Sequence, residues 1–153
     1  MKTTTVKRQV LPAVLVGAAI LSIGNWATAQ SGQRPGETFK ARLSVVPIDV
    51  TMQSTVAGLG SATAVLTGNK LTISGSFDGL RSPATVARVH RGPKGIPGPA
   101  VFDLTISKAT SGTLSGSLEL TPAQIEDLRN GRFYVQISSE RAPDGNLWGW
   151  LLR

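Results

Sequence analysis

Hydrophobic and polar residues alternate with a period of two along most of the chain after residue 38. In the first such segment, Phe39, Ala41 and Leu43 alternate with polar residues, and similar segments recur at short intervals. Because successive side chains of a strand point to opposite faces, this pattern predicts half-buried β-strands. Eight strands are predicted, at 39–45, 58–67, 71–77, 84–91, 100–106, 113–120, 133–137 and 147–152.

One segment, between the sixth and seventh strands, departs from the alternation. Thr121 is placed to cap a helix N-terminus, and Gln124 completes a capping box with it. The sequence therefore predicts a short helix near 122–129, with Ile125 and Leu128 facing the core.

Turn-forming residues separate the predicted strands. Gly68-Asn69 is one example, since both residue types accept a positive φ. No stretch repeats a strand–helix–strand pattern, which argues against an α/β fold. We predict an all-β fold, specifically an antiparallel Ig-like β-sandwich of Greek-key type with about eight strands and one short helix.

The first 29 residues have the parts of an export signal. A basic start precedes an apolar run over 10–23, and the small-residue sequence Ala-Thr-Ala follows at 27–29. Cleavage is predicted between Ala29 and Gln30, so the protein is expected to be periplasmic or secreted. The apolar run is too short for a typical membrane span, and none is expected in the mature chain.

The mature chain is predicted to hold one domain, at 37–153, after a flexible lead-in at 30–36. The predicted signal contains three of the chain's 16 Lys and Arg residues, which leaves 13 against nine acidic residues, or about +4. These cations are scattered, and nucleic acid is not expected as a partner. We expect a monomer whose partner is a protein or an envelope polysaccharide.

His90 is the single histidine, and the chain has no cysteine, which excludes disulfides and thiolate metal sites. A catalytic histidine needs an orienting partner, for which Asp103 and Glu140 are candidates. Zinc sites use three or four protein ligands. These residues favour a structural histidine and leave a metal- or ligand-dependent site at His90 as the alternative. No catalytic residue and no cofactor are predicted.

The segment after His90 contains three Gly-x-y triplets, over 92–100. Three triplets are too few for a collagen helix, and the Gly-Lys-Ser/Thr ending of a phosphate loop is missing. We interpret the segment as a rigid inter-strand loop, in which Gly92, Gly95 and Gly98 give turning freedom and prolines add stiffness.

Two groups of residues are candidates for a binding surface. Arg88, Arg91 and Lys94 cluster near the loop and form either a solvated rim or a site for a carboxylate or sulfate.

The second group is aromatic. Trp148 and Trp150 project from one face of the last strand, with Tyr134 on a neighbouring strand. They form either part of the core or a carbohydrate-binding platform. Leu147 and Leu151 project from the opposite face, and alternation alone does not say which face is buried.

Five segments, taken in order, resemble the CHRD domain, a family named for chordin and found in bacterial secreted proteins. They are FKARLSVVP (39–47), GLGSATAVL (58–66), FDGL (77–80), VARVHRGPKGIPGPAVFDL (86–104) and LTPAQIEDLRNGRFYVQISSERAPDGNLWGWL (120–151). The resemblance implies an exported all-β domain. The family's His-x-His pair is Arg88-Val89-His90 here, so one histidine is lost.

The function expected from these observations is that of an exported, non-catalytic binding or structural module of the bacterial envelope or extracellular space. Two alternatives remain open at this point. One is an enzyme or metal-binding protein with its site around His90. The other is a carbohydrate-binding module that uses Trp148 and Trp150.

Overall fold

The computed structural model describes residues 35–45 and 50–153, and the predicted signal peptide and most of the lead-in lie outside them. A short 3-10 helix covers Val50–Ser54 and one α-helix, α1, covers Pro122–Arg129. The strands are β1 (Glu37–Ser44), β2 (Leu59–Thr67), β3 (Lys70–Asp78), β4 (Ala84–Arg91), β5 (Ala100–Ile106), β6 (Gly112–Glu119), β7 (Phe133–Ser139) and β8 (Ala142–Trp150).

The eight strands form one closed antiparallel barrel in the order β1-β2-β3-β6-β5-β4-β7-β8. The prediction of an all-β antiparallel fold is confirmed, but the prediction of a sandwich is wrong. β1 pairs with both β2 and β8, so the two ends of the sheet meet. Alternation is the same in both architectures, because each buries one face of every strand.

Within this order, β7 returns to pair with β4 beside the β4-β5-β6 meander. Three consecutive strands with a fourth lying next to the first form a Greek key. The Greek-key connection therefore occurs in a barrel.

The interior of the barrel is filled by the inward residues that the alternation predicts. Large, fully buried side chains come from β1, β3, β6, β7 and β8, among them Phe39, Leu43, Leu71, Ile73, Leu114, Phe133, Ile137 and Leu147. β2 contributes Leu66 and the two small residues Ala62 and Ala64. Each large side chain adds about 1.5–3 kcal/mol of stabilisation on burial.

Helix α1 lies at the end of the barrel where β7 begins. Thr121 and Gln124 form the predicted capping box, which satisfies amide groups of the first helical turn. Leu128 is fully buried and Ile125 packs against the core, as predicted. The Asp127 carboxylate, 8% exposed, lies 2.6 Å from Nη2 of Arg91.

A second acid also holds this end of the barrel. Glu37, at the start of β1, accepts hydrogen bonds from Arg129 of α1 and from Arg153. The Arg153 guanidinium lies 5.6 Å from the ring centroid of Phe39. The helix and the C-terminus are therefore fastened to β1.

The last strand begins earlier than predicted. The turn between β7 and β8 consists of only Glu140 and Arg141, and the strand includes residues 142–146, which precede the predicted start at 147. Ser139 pairs with Ala142, whereas Ile137 pairs with Leu147, so three extra residues of β8 bulge between these pairs. Pro143, Asp144 and Gly145 of this bulge are also typical of turns, so their sequence does not distinguish a bulge from a turn.

Candidate binding groove

Three aromatic rings form a row across the outer face of β4, β7 and β8. His90 is registered with Tyr134, and Tyr134 with Trp150. The His90 and Tyr134 rings stack with centroids 5.0 Å apart, and the Tyr134 and Trp150 centroids are 4.9 Å apart. Cross-strand neighbours on one face contact directly, so the pairing fixes this row.

The Gly/Pro loop at 92–99 covers this row and is hydrogen-bonded to each ring. The Tyr134 hydroxyl accepts from the Gly98 amide at 3.0 Å, and it lies 3.3 Å from the Gly98 carbonyl oxygen. His90 Nδ1 is 2.9 Å from the same oxygen, and Trp150 Nε1 donates to the Gly92 carbonyl at 3.3 Å. Tyr134 is consequently only 2% exposed.

The three glycines of the loop serve different needs. Gly95 has φ of 86°, so it supplies the turning freedom that the sequence predicts. Gly92 and Gly98 are required by close approach instead. A Cβ on Gly92 would lie 2.6 Å from the Ile96 carbonyl oxygen, and one on Gly98 would overlap the Arg91 carbonyl.

His90 is engaged in this covered row and does not meet the predicted acids. A carbonyl oxygen only accepts, so Nδ1 facing Gly98 carries the proton. Asp103 instead accepts from Arg88 Nε at 2.8 Å. Glu140 follows β7 six residues beyond Tyr134, or roughly 20 Å along the strand.

The arginines predicted to form an anionic site are divided between two ion pairs. Arg88 pairs with Asp103 on the neighbouring strand, and Arg91 pairs with Asp127 of α1. Only Lys94, on the exposed part of the loop, is left without an acid of the described chain. The structure therefore does not bring the three cations together as one site.

Lys94 instead lines an open groove of about 510 Å³ that follows the junction of β1 and β8. We call this the β1–β8 groove, and it is lined by Lys40, Ala41, Arg42, Ser44, Ser61, Lys94, Trp148, Gly149, Trp150 and Leu152. The structure thus brings Lys94, Trp148 and Trp150 together, with two further cations from β1.

The register across the junction sets the order of side chains in the groove. Ser44 pairs with Trp148, and Lys40 pairs with Leu152. Between these pairs the antiparallel register places Arg42 opposite Trp150. The outward residues of β1 therefore face the indoles of β8 across the junction.

The cations of the groove have no acidic partner in the part of the chain that the structure describes. The five ion pairs found there involve Arg88, Arg91, Arg129, Arg132 and Arg153. Lys40, Arg42 and Lys94 are all exposed, and none of the acids in 35–45 and 50–153 lines the groove. Such an arrangement attracts anions.

The two tryptophans of the groove differ in solvent exposure. Leu147 and Leu151 occupy the core face of this chain segment, which places both tryptophans outside the barrel. Trp148 is nevertheless only 6% exposed, because its indole lies against Gly145 and Gln136. Trp150 is partly exposed, so its indole is the more accessible of the two.

The contribution of β1 was not recognised from the sequence. A signal was present, since the alternation of β1 places Lys40 and Arg42 on its outer face. The predicted sandwich does not pair β1 with β8, so it does not place these cations beside the tryptophans. Barrel closure joins residues more than 100 positions apart in the chain.

The protein is therefore a closed antiparallel β-barrel, and cations and indoles line the junction of β1 and β8 on its surface. The CHRD domain family model matches residues 39–151, so the chain belongs to the CHRD family and the predicted resemblance is confirmed. No curated protein and no solved structure matches the chain significantly.

Two negative findings apply to residues 35–45 and 50–153. Within these ranges no three His, Cys, Asp or Glu side chains are grouped as metal ligands would be. No helix there has the length and apolar character needed to cross a bilayer.

Proposed function

We propose that the protein is an exported, non-catalytic binding module of the cell envelope or extracellular space, and that the β1–β8 groove is its contact surface. One observation carries the proposal. Three cations without acidic partners among the described residues line the groove beside two indoles, on a surface built mainly from paired strands. A site on such rigid elements needs little ordering when a partner binds.

Contact with an anionic partner would satisfy these charges. Lys40 and Arg42 belong to β1 and Lys94 to the Gly/Pro loop, so two separate elements supply the groove cations. Charges that converge without a counter-charge raise the local concentration of anions and speed association. Binding of this kind requires no chemical step at His90.

Export is tested by the N-terminus of the protein recovered from the periplasm or the medium. We expect mass spectrometry to show a chain that begins at Gln30, because the Ala-Thr-Ala sequence at 27–29 directs cleavage there. Recovery of the intact chain from the cytoplasm alone would overturn this part of the proposal.

The contact surface is tested by co-sedimentation with purified cell-envelope material. The variant Lys40→Gln/Arg42→Gln/Lys94→Gln removes three groove charges and is expected to lose most of the binding. A matched control is Lys70→Gln/Lys108→Gln/Arg141→Gln, which changes the net charge equally at exposed sites outside the groove. Equal loss in both variants would show non-specific attraction and contradict the proposal.

A further inference from the structure

We infer that the ligand of the β1–β8 groove is an acidic polysaccharide that lies along the junction, with carboxylates on the groove cations and a sugar ring against Trp150. The inference rests on the proposed function and names its ligand class. It combines three properties of the groove: the order of its charges, the chemistry of its indole and its hydroxyl groups.

Two of the three groove charges follow one strand. Lys40 and Arg42 are alternate residues of one strand, so their Cα atoms lie roughly 7 Å apart along β1. Lys94 reaches the groove from the Gly/Pro loop. A linear polymer with an anionic group on successive units can contact several of these cations at once.

The indole of Trp150 presents an apolar surface to the groove. The Tyr134 ring packs against it with centroids 4.9 Å apart, and Trp150 lines the groove together with residues of β1. The indole N–H is already donated to the Gly92 carbonyl, so it is not available to a ligand. The apolar π face of an indole suits the C–H face of a pyranose ring.

Short hydroxyl side chains complete the surface. Ser44 and Ser61 line the groove, and Ser61 is registered with Arg42 on the neighbouring strand. No hydrogen bond from either side chain occurs within the described part of the chain. Hydroxyls beside cations and an indole match the mixed hydroxyl, carboxylate and C–H surface of a uronic-acid chain.

An acidic peptide fits these features less well. An extended peptide binds a sheet mainly by adding a strand at an open edge. The groove lies instead over the junction where β1 and β8 pair, and the barrel order leaves neither strand at an edge. Side chains, not backbone groups, therefore form the recognition surface, as expected for a saccharide.

The test uses the mature protein and oligogalacturonate, with fluorescence as the readout. Two of the chain's three tryptophans, Trp148 and Trp150, line the groove, and the third is Trp26 in the predicted signal. All indole fluorescence of the mature chain therefore comes from the groove. We expect saturable binding that shifts this emission and weakens with added salt.

Variants locate the binding. We expect Lys40→Gln/Arg42→Gln to weaken oligogalacturonate binding about tenfold, since two exposed ion pairs are lost. The control Lys70→Gln/Lys108→Gln is expected to bind within about twofold of the parent protein. Calorimetry gives the same comparison independently of fluorescence. Equal weakening in the two variants would overturn the inference.

Other polymers test the ligand class. Neutral dextran tests whether charge is needed, polyglutamate represents an acidic polypeptide, and phosphatidylglycerol vesicles represent an anionic membrane. The inference requires oligogalacturonate to bind more tightly than each of these. Stronger binding of any one of them overturns it.

The inference and the proposed function can fail separately. Suppose that the groove triple variant loses envelope binding while oligogalacturonate does not bind. In that case the groove is the contact surface, but the assigned ligand class is wrong. If the triple variant keeps envelope binding, the proposed contact surface is wrong.

Discussion

Two groups of cations on the same barrel differ in their partners. At the end that carries α1, four arginines share two acids, Glu37 and Asp127. Along the β1–β8 groove, three cations have no acid among the described residues. The first arrangement joins elements that are distant in sequence. The second makes no ion pair within the described residues. We therefore expect the arginine group to stabilise the fold and the groove group to bind a partner.

The largest effect on stability is expected from a substitution at Gly98 in the Gly/Pro loop. In Gly98→Ala, the new Cβ would overlap the Arg91 carbonyl oxygen, and the loop would have to shift. We expect a loss of about 3 kcal/mol in the free energy of unfolding, measured by urea denaturation. Loop displacement should also weaken groove binding, because the loop carries Lys94.

The matched control for this change is Gly95→Asn in the same loop. No heavy atom lies within 4 Å of a Cβ at Gly95, and its φ of 86° is near the region that Asn tolerates. We expect the control to lose less than about 1 kcal/mol. Equal destabilisation in the two variants would contradict the conclusion that close approach to Arg91 makes glycine necessary at Gly98.

The next effect concerns the paired group at α1. Asp127→Asn removes the carboxylate that Arg91 and Arg132 share while keeping the shape of the side chain. We expect a loss of about 1–2 kcal/mol, since the acid is buried but both arginines are half exposed. The exposed neighbour Glu126→Gln is the control, and urea denaturation of both variants measures the difference.

This variant also sharpens the comparison between the two groups. Asp127 lies outside the groove, so stability should fall while the affinity of the folded protein for its ligand stays unchanged. A large change in affinity at equal folded fraction would show that the two groups of cations are coupled.

These structural roles were only partly predictable from sequence. Alternation predicted every strand and the capping box predicted α1, because both patterns are local. The pairing of β1 with β8 is not local, so the meeting of Arg42 and Trp150 could not be read from the chain. The bulge in β8 was also missed, since Asp144 and Gly145 are as typical of a turn as of a bulge.

The contacts of the candidate site residues also depend on pairing between distant parts of the chain. Tyr134, His90 and Trp150 lie on neighbouring strands, yet only the register shows that their rings touch. Arg88 and Arg91 were predicted to cluster with Lys94, but each pairs with an acid, one from another strand and one from the helix. The order of charged residues along the sequence does not predict an ion pair between elements that meet only in the fold.

A smaller effect is expected from the pH dependence of Glu37. The hydrogen bond from Arg129 lowers the pKa of Glu37 below its ordinary value, with Arg153 acting in the same direction. A carboxyl whose folded pKa is lowered adds stability above its unfolded pKa and loses it as the pH falls toward the folded value.

Glu37→Gln tests this contribution through the melting temperature between neutral and acidic pH. We expect the variant to melt slightly below the parent at neutral pH and the difference to shrink on acidification. Glu119→Gln, an exposed acid without an ion pair among the described residues, is the control. A difference that grows at low pH would contradict the assignment.

The smallest effect on stability is expected in the groove itself. Lys40→Gln/Arg42→Gln/Lys94→Gln removes three charges that have no acidic partner among the described residues, and Gln keeps much of the aliphatic stem. We expect the free energy of unfolding to stay within about 0.5 kcal/mol of the parent, because exposed, unpaired cations contribute little to folding. Urea denaturation at low and high salt measures this. A loss comparable to that of Asp127→Asn would mean that the groove cations also hold the barrel together, and the comparison between the two groups would fail.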